Sequence, residues 1–173
     1  MKKIILFLSF IFVSTFAFSQ VAKCKNAIIM LSSAGNGSIT PAGINNGSTG
    51  YTSLSLSQQQ YTCFNVGVNT VTLTATAANG NTSTCVGTIT VRDNVKPLAK
   101  CKTASINIQS DTTLSPSIID DGSSDACVIL ERTLIPDEFN CSNVGSNSVV
   151  LKIKDSNGNE STCTTLIYIT CTN

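Results

Sequence analysis

The chain carries one motif pair twice. Cys63-Phe64-Asn65-Val66-Gly67, followed by Asn79-Gly80-Asn81-Thr82-Ser83-Thr84-Cys85, returns 78 residues later as Cys141-Ser142-Asn143-Val144-Gly145 and Asn157-Gly158-Asn159-Glu160-Ser161-Thr162-Cys163. Between the two cysteines of each copy runs a stretch of alternating β-branched and apolar residues. Self-similarity over such a span means that one small β-domain is used twice. It shifts the question of function from catalysis towards display and adhesion.

The alternation is clearest over Asn69 to Ala77, where Val71, Leu73 and Ala75 share one face and Thr70, Thr72, Thr74 and Thr76 the other. A period of two puts one face in a core and one in water. Asn79-Gly80 is a strong hairpin signal, so Thr84 to Val91 returns as the partner strand. Upstream, Asn26 to Leu31, Ser38-Ile39-Thr40 and Tyr51 to Ser57 read as strands, with turns at Gly35-Asn36-Gly37 and Asn45-Asn46-Gly47-Ser48. In the second copy Ser105 to Ile108 is the first strand, and Ser148 to Lys154 pairs with Thr162 to Thr170 through Asn157-Gly158. Val149, Leu151 and Ile153 are predicted to face in, Lys152 and Lys154 out. No segment sustains a helical period. The fold class is all-β, two tandem immunoglobulin-like sandwiches.

Residues 1–19 read as a cleaved signal peptide: Lys2 and Lys3 form a basic start, Ile4 to Phe18 is apolar but short for a bilayer, and Ala17 and Ser19 precede the cut before Gln20. The remaining division is a first module over 20–92, a linker over 93–97 and a second module over 98–173. Pro97 closes the linker and restricts the residue before it to extended conformations, so the join is expected to be short and stiff. No later segment is apolar enough to cross a membrane. The protein is therefore expected to be secreted, periplasmic or at the cell surface.

Eight cysteines follow the leader. Export takes them to an oxidising compartment, and modules of this size bury little surface, so disulfides are the natural reading. Zinc is disfavoured by the absence of any histidine and of a CxxC pair. The missing histidine also leaves a nucleophile without its usual base. All ten acids lie at or after Asp93, where six bases accompany them, while Gln20 to Val91 holds no acid and only Lys23 and Lys25 as bases. Neither half has the basic stripe that nucleic acid requires.

The pattern Ala-Lys-Cys-Lys, a Gly-Ser turn, an aromatic-x-Cys-x-Asn-Val-Gly and Asn-Gly-Asn-x-Ser-Thr-Cys resembles the hyalin-repeat (HYR) group of immunoglobulin-like modules, in the form found in tandem in bacterial secreted and surface proteins. The resemblance implies adhesion, spacing and protein or glycan contact without enzymatic chemistry. It also implies disulfides from Cys24 to Cys85 and from Cys101 to Cys163, and pairs Cys127 with Cys141. Cys63 and Cys171 are then left over, to bond each other, stay free or link two chains, and at least one is expected to be free in the monomer.

Three further features are candidates for chemistry. Asp120, Asp121 and Asp125, with Asp155 and Asp93 in reach, are hard oxygen ligands for Ca²⁺, but their spacing matches no calcium loop and Asn45, Asn46 and Gly50 stand at the matching turn of the first copy. No cofactor is expected. The threonine row Thr70, Thr72, Thr74 and Thr76, extended by Thr88 and Thr90, is an uncharged hydroxyl surface suited to carbohydrate or ice, or simply a wet strand face. Of the tyrosines, Tyr51, Tyr61 and Tyr168, Tyr61 matches Phe139 and is expected in the core. The leading expectation is an exported, non-enzymatic adhesion or structural pair whose partners are extracellular or envelope proteins, glycans, or further copies joined through a free cysteine or edge strands.

Overall fold

The computed structural model describes residues 20–172; the expected signal peptide, 1–19, lies outside them. The first sandwich contains β1 (Ala27–Met30), β2 (Asn36–Ser38), β3 (Ser53–Leu56), β4 (Gln60–Thr62), β5 (Gly67–Thr76) and β6 (Thr82–Arg92). The second contains β7 (Ala104–Ile108), β8 (Thr112–Thr113), β9 (Ile129–Ile135), β10 (Glu138–Phe139), β11 (Gly145–Asp155) and β12 (Glu160–Cys171). Both copies use one topology. A four-stranded sheet, β1-β6-β5-β3 or β7-β12-β11-β9, is accompanied by a two-stranded sheet, β2-β4 or β8-β10. The first strand of each copy runs parallel to the last, and the long pairs β5–β6 and β11–β12 are antiparallel hairpins. This is an all-β, tandem immunoglobulin-like architecture.

The period-two strands place their apolar sets as their spacing dictates. Val71 and Leu73 of β5 meet Ile89 and Val91 of β6, Ile29, Leu31 and Tyr61 inside the first sandwich, and Ala75 is buried on the same face. Val149, Leu151 and Ile153 meet Ile167, Ile169, Leu134 and Phe139 inside the second. One turn of helix, α1 (Pro41–Ile44), interrupts the first copy, and sequence periodicity is blind to so short an element. Pro41 opens it with its backbone angle already set, and Ile44 is fully buried beneath it.

The repeated motifs are turn chemistry. Asn65 Oδ1 accepts from the Thr62 N–H at 2.9 Å, and Asn143 Oδ1 does the same for Asn140 at 2.8 Å. Gly67 and Gly145 follow with φ of 108° and 110°, a region an L side chain rarely enters. The Asn-Gly pairs close the hairpins, and in the second copy Asp155 accepts from the Asn157 and Asn159 N–H groups at 2.8 Å each while itself fully buried. Asn45 and Asp120 play one part in the two copies: each accepts from a serine N–H three residues on, at 2.9 and 2.8 Å.

Tyr61 is 1% exposed, and its hydroxyl has no protein hydrogen-bond partner among the described residues. Burial raises its pKa. The matching Phe139, 3% exposed, fills the second core without a hydroxyl. An unpaired buried hydroxyl costs about 1–3 kcal/mol. Tyr61→Phe is therefore expected to raise the thermal midpoint, and a denaturation series showing a loss instead would assign the hydroxyl a partner.

Candidate functional site

Four disulfides consume all eight cysteines: Cys24–Cys85, Cys63–Cys127, Cys101–Cys163 and Cys141–Cys171. Their Cα–Cα distances, 5.7, 5.2, 6.1 and 5.4 Å, lie in the ordinary range for bonded pairs. This corrects two expectations. Cys127 does not bond Cys141, and neither Cys63 nor Cys171 is free. Cys63 bonds across the two copies, which spacing within one copy does not reveal, and Cys171 takes Cys141 inside its own copy. The short join lays the Asp125–Val128 loop of the second sandwich over the end of the first, and Cys127 packs against the first core. Cys171, at the end of β12, occupies the place that Asp93 holds after β6, and there it lies beside Cys141.

The junction is closely fitted. Gly35 has φ of 72°, and a Cβ there would lie 2.8 Å from Cys63 Sγ and 3.4 Å from Ala126 Cβ. Asp93, 6% exposed, accepts from Val95 N–H at 3.0 Å and from Asn157 Nδ2 at 2.9 Å, while Asn159 Nδ2 donates to its carbonyl at 3.2 Å. The join is thus hydrogen-bonded to the β11–β12 hairpin. Beside the disulfide an open cleft of about 250 Å³ is shared by both sandwiches, with Ala34, Asn36 and Phe64 on one side and Ala126 and Val128 on the other. No charged residue lines it. Phe64 is 100% exposed. The sequence signal for it is a single difference between the copies, Phe64 against Ser142, inside an otherwise shared Cys-x-Asn-Val-Gly motif.

The acids are dispersed in use. Carboxylate oxygens of Asp93 and Asp125 lie within 4.8 Å of each other and of Cys127 Sγ, which is oxidised and offers no thiolate. Asp125 accepts from the Cys127 N–H at 2.7 Å. Asp120 is bound to Arg132, Nε to Oδ2 at 2.8 Å, and Asp155 holds its hairpin; neither joins that group. Asp121 is exposed on the same turn as Asp120.

Thr70, Thr72, Thr74 and Thr76 do share the outer face of β5. Across the pairing, Thr70 meets Thr88, Thr74 meets Thr84, Thr76 meets Thr82, and Val68 meets Thr90. Ser53 and Ser55 of β3 extend two of these rows. Exposed apolar residues also stand on this face: Ile28 of β1 is 59% exposed, Val68 of β5 75% and Val86 of β6 67%. The matching face of the second sandwich carries charge, with Lys152 and Lys154 of β11 at 2.9 and 3.9 Å from Glu160 of β12. Tyr168 lies on that outer side, Tyr51 on a loop of the first sandwich, and Tyr61 in the core.

No protein-family model matches the chain, and no curated protein matches it. Solved structures similar to it include the first two extracellular domains of human mucin-like protocadherin, at 10% identity over 87% of this chain and 98% of that one, TM-score 0.42. Fibronectin(III)-like modules of CbhA from Clostridium thermocellum are similar at 14% identity over 86% and 91%, TM-score 0.34. For domains 1–4 of protocadherin gamma B7 the figures are 14% identity, 89% of this chain and TM-score 0.34, and the chain spans about half of that structure, 51%.

Two expectations follow from these contacts. Burial acts to raise the Asp120 pKa, but hydrogen bonds from Ser123 and Arg132, with the guanidinium charge, outweigh it and hold the carboxyl below its ordinary value. A lowered folded pKa gives stability that is complete above the unfolded value, about 3.9, and is lost as pH falls through the folded one. Asp120→Asn should flatten that acid limb and cost roughly 0.5–1 kcal/mol at neutral pH, the partner being partly exposed; identical acid denaturation curves would count against the pair. The double change Cys63→Ser with Cys127→Ser should leave both sandwiches folded by circular dichroism yet speed proteolytic cutting within 93–97; unchanged cutting would show that the hydrogen bonds of Asp93 suffice to hold the join.

Proposed function

We propose that the chain is an exported, non-enzymatic adhesion or structural protein of HYR-like type, which presents two immunoglobulin-like sandwiches in fixed relation to an extracellular or envelope partner. One observation carries the reading. Every cysteine is spent on cross-links, and one of those cross-links ties the two sandwiches together. No thiolate remains, the chain contains no histidine, and Asp120 and Asp155, among the acids considered for chemistry, are engaged in turns. What the molecule offers instead is preset surface, and presetting lowers the ordering cost of contact. Calcium has no part in this proposal. Edge strands β1 and β3, or β7 and β9, offer backbone groups for pairing with another chain.

A second reading is favoured by the contrast between equivalent faces. The outer face of the first sheet bears hydroxyl and methyl groups where the second bears an ion-pair network. An uncharged ligand, a neutral glycan or ice, suits the former. Affinity capture with the chain from residue 20 onward, using envelope and medium of the producing cell with and without reductant, separates these readings. A protein recovered in both conditions supports the adhesion reading. A glycan-array or thermal-hysteresis signal lost on Thr72→Lys transfers the function to the threonine face. Turnover of a substrate by the purified chain would overturn both.

A further inference from the structure

Phe64 stands out among the described residues. It is 100% exposed on the 3₁₀ turn Cys63–Asn65, while large apolar residues elsewhere on the surface are covered to some degree. Exposed aromatic surface is unfavourable in water, by about 25 cal/mol for each Å² left uncovered. The fold does not require it. The same turn in the second copy, Cys141–Asn143, has the same capping geometry around Asn143 and holds Ser142 in that place. The aromatic ring is thus extra to the turn, and of these two equivalent turns it sits on the one that abuts the other sandwich.

Directly beside it lies the junction cleft. Its lining comes from both sandwiches and includes the Cys63–Cys127 bridge, and its apolar part is supplied by Ala34, Ala126, Val128 and one side of Phe64 itself. At about 250 Å³ it is smaller than the usual range for small-molecule sites, about 300–1,000 Å³, and it suits a single side chain. It carries no charge that would select a charged occupant. Val128, 58% exposed, forms part of its rim. The bridge and Gly35, which lets the backbone come close, fix the cleft before any partner arrives.

We propose that this surface is a self-recognition site, and that its occupant is Phe64 of a second copy of the chain. A projecting ring and an uncharged hole side by side on one surface are self-complementary about a two-fold axis: each ring fills the hole of the other molecule. That is the isologous arrangement, which closes at two copies. The ring in its pocket forms the central anchor, the feature that dominates interface energetics. The site deepens the adhesion reading, on which it rests, by naming a homotypic contact.

Sedimentation velocity over a concentration series, on the oxidised chain from residue 20 onward, tests it. The wild-type protein should shift from monomer to dimer as concentration rises. Phe64→Ser, which installs the residue the second copy carries, should leave circular dichroism and the disulfide map unchanged and weaken dimerisation at least ~30-fold. Val128→Asp should weaken it too, by placing charge in the hole. Because no charged residue lines the contact, raising salt should not loosen the dimer. The double change Phe64→Ser with Ser142→Phe keeps an exposed ring but moves it away from the cleft, and should stay monomeric. A wild-type chain that remains monomeric throughout, a Phe64→Ser protein that dimerises as well as wild type, or a moved ring that restores association would each overturn the proposal. A monomeric wild type that still captures an envelope protein would sink this site alone and leave the adhesion reading standing.

Discussion

The contact between the end of the first sandwich and the Asp125–Val128 loop of the second organises much else in the molecule. Three features converge there. The Cys63–Cys127 bond joins residues 64 apart in the chain, Gly35 clears space for Ala126, and Asp93 is held by the side chains of Asn157 and Asn159. The bond forms because the join is short enough to bring the loop over the turn, and the buried Asp93 carboxylate is tolerable because backbone and amide donors satisfy it. The bridge closes a long loop, and a cross-link over a long loop removes the most entropy from the unfolded chain.

The two copies also act as controls for each other. Where both share a residue, the reason is the fold: the Asn65 and Asn143 caps, the Gly67 and Gly145 turns, and the Cys24–Cys85 and Cys101–Cys163 bridges serve the same places. Where they differ, the reason must lie elsewhere. Phe64 against Ser142, threonines against lysines on the outer sheet face, and Asp93 against Cys171 are the differences with physical consequences. The last of these lets Cys141 close within its own sandwich, whereas Cys63 reaches across to the next.

Much of this was legible in residue order. Period-two alternation placed Val71, Leu73, Val149, Leu151 and Ile153 in their cores, because a strand has only two faces and one must be dry. The match of Tyr61 to Phe139 marked it as interior. The threonine row was equally readable, since pleating alone sets its direction. The pairing of Cys63 and Cys127 was not, because spacing within a copy carries no information about how one copy leans on the next. The same holds for Asp120, whose partner Arg132 lies on β9, a strand with weak alternation.

Residue order alone thus settled the all-β class, the duplication, the wet and dry faces of the long hairpins and the chemistry of the turns, all of which follow from local periodicity and backbone preference. The approach of one sandwich to the other belonged to three-dimensional packing. From it came the bond of Cys63 to Cys127, the burial of Asp93 and the uncharged cleft beside Phe64, because each depends on atoms that meet only after both copies have folded and the join has set their distance.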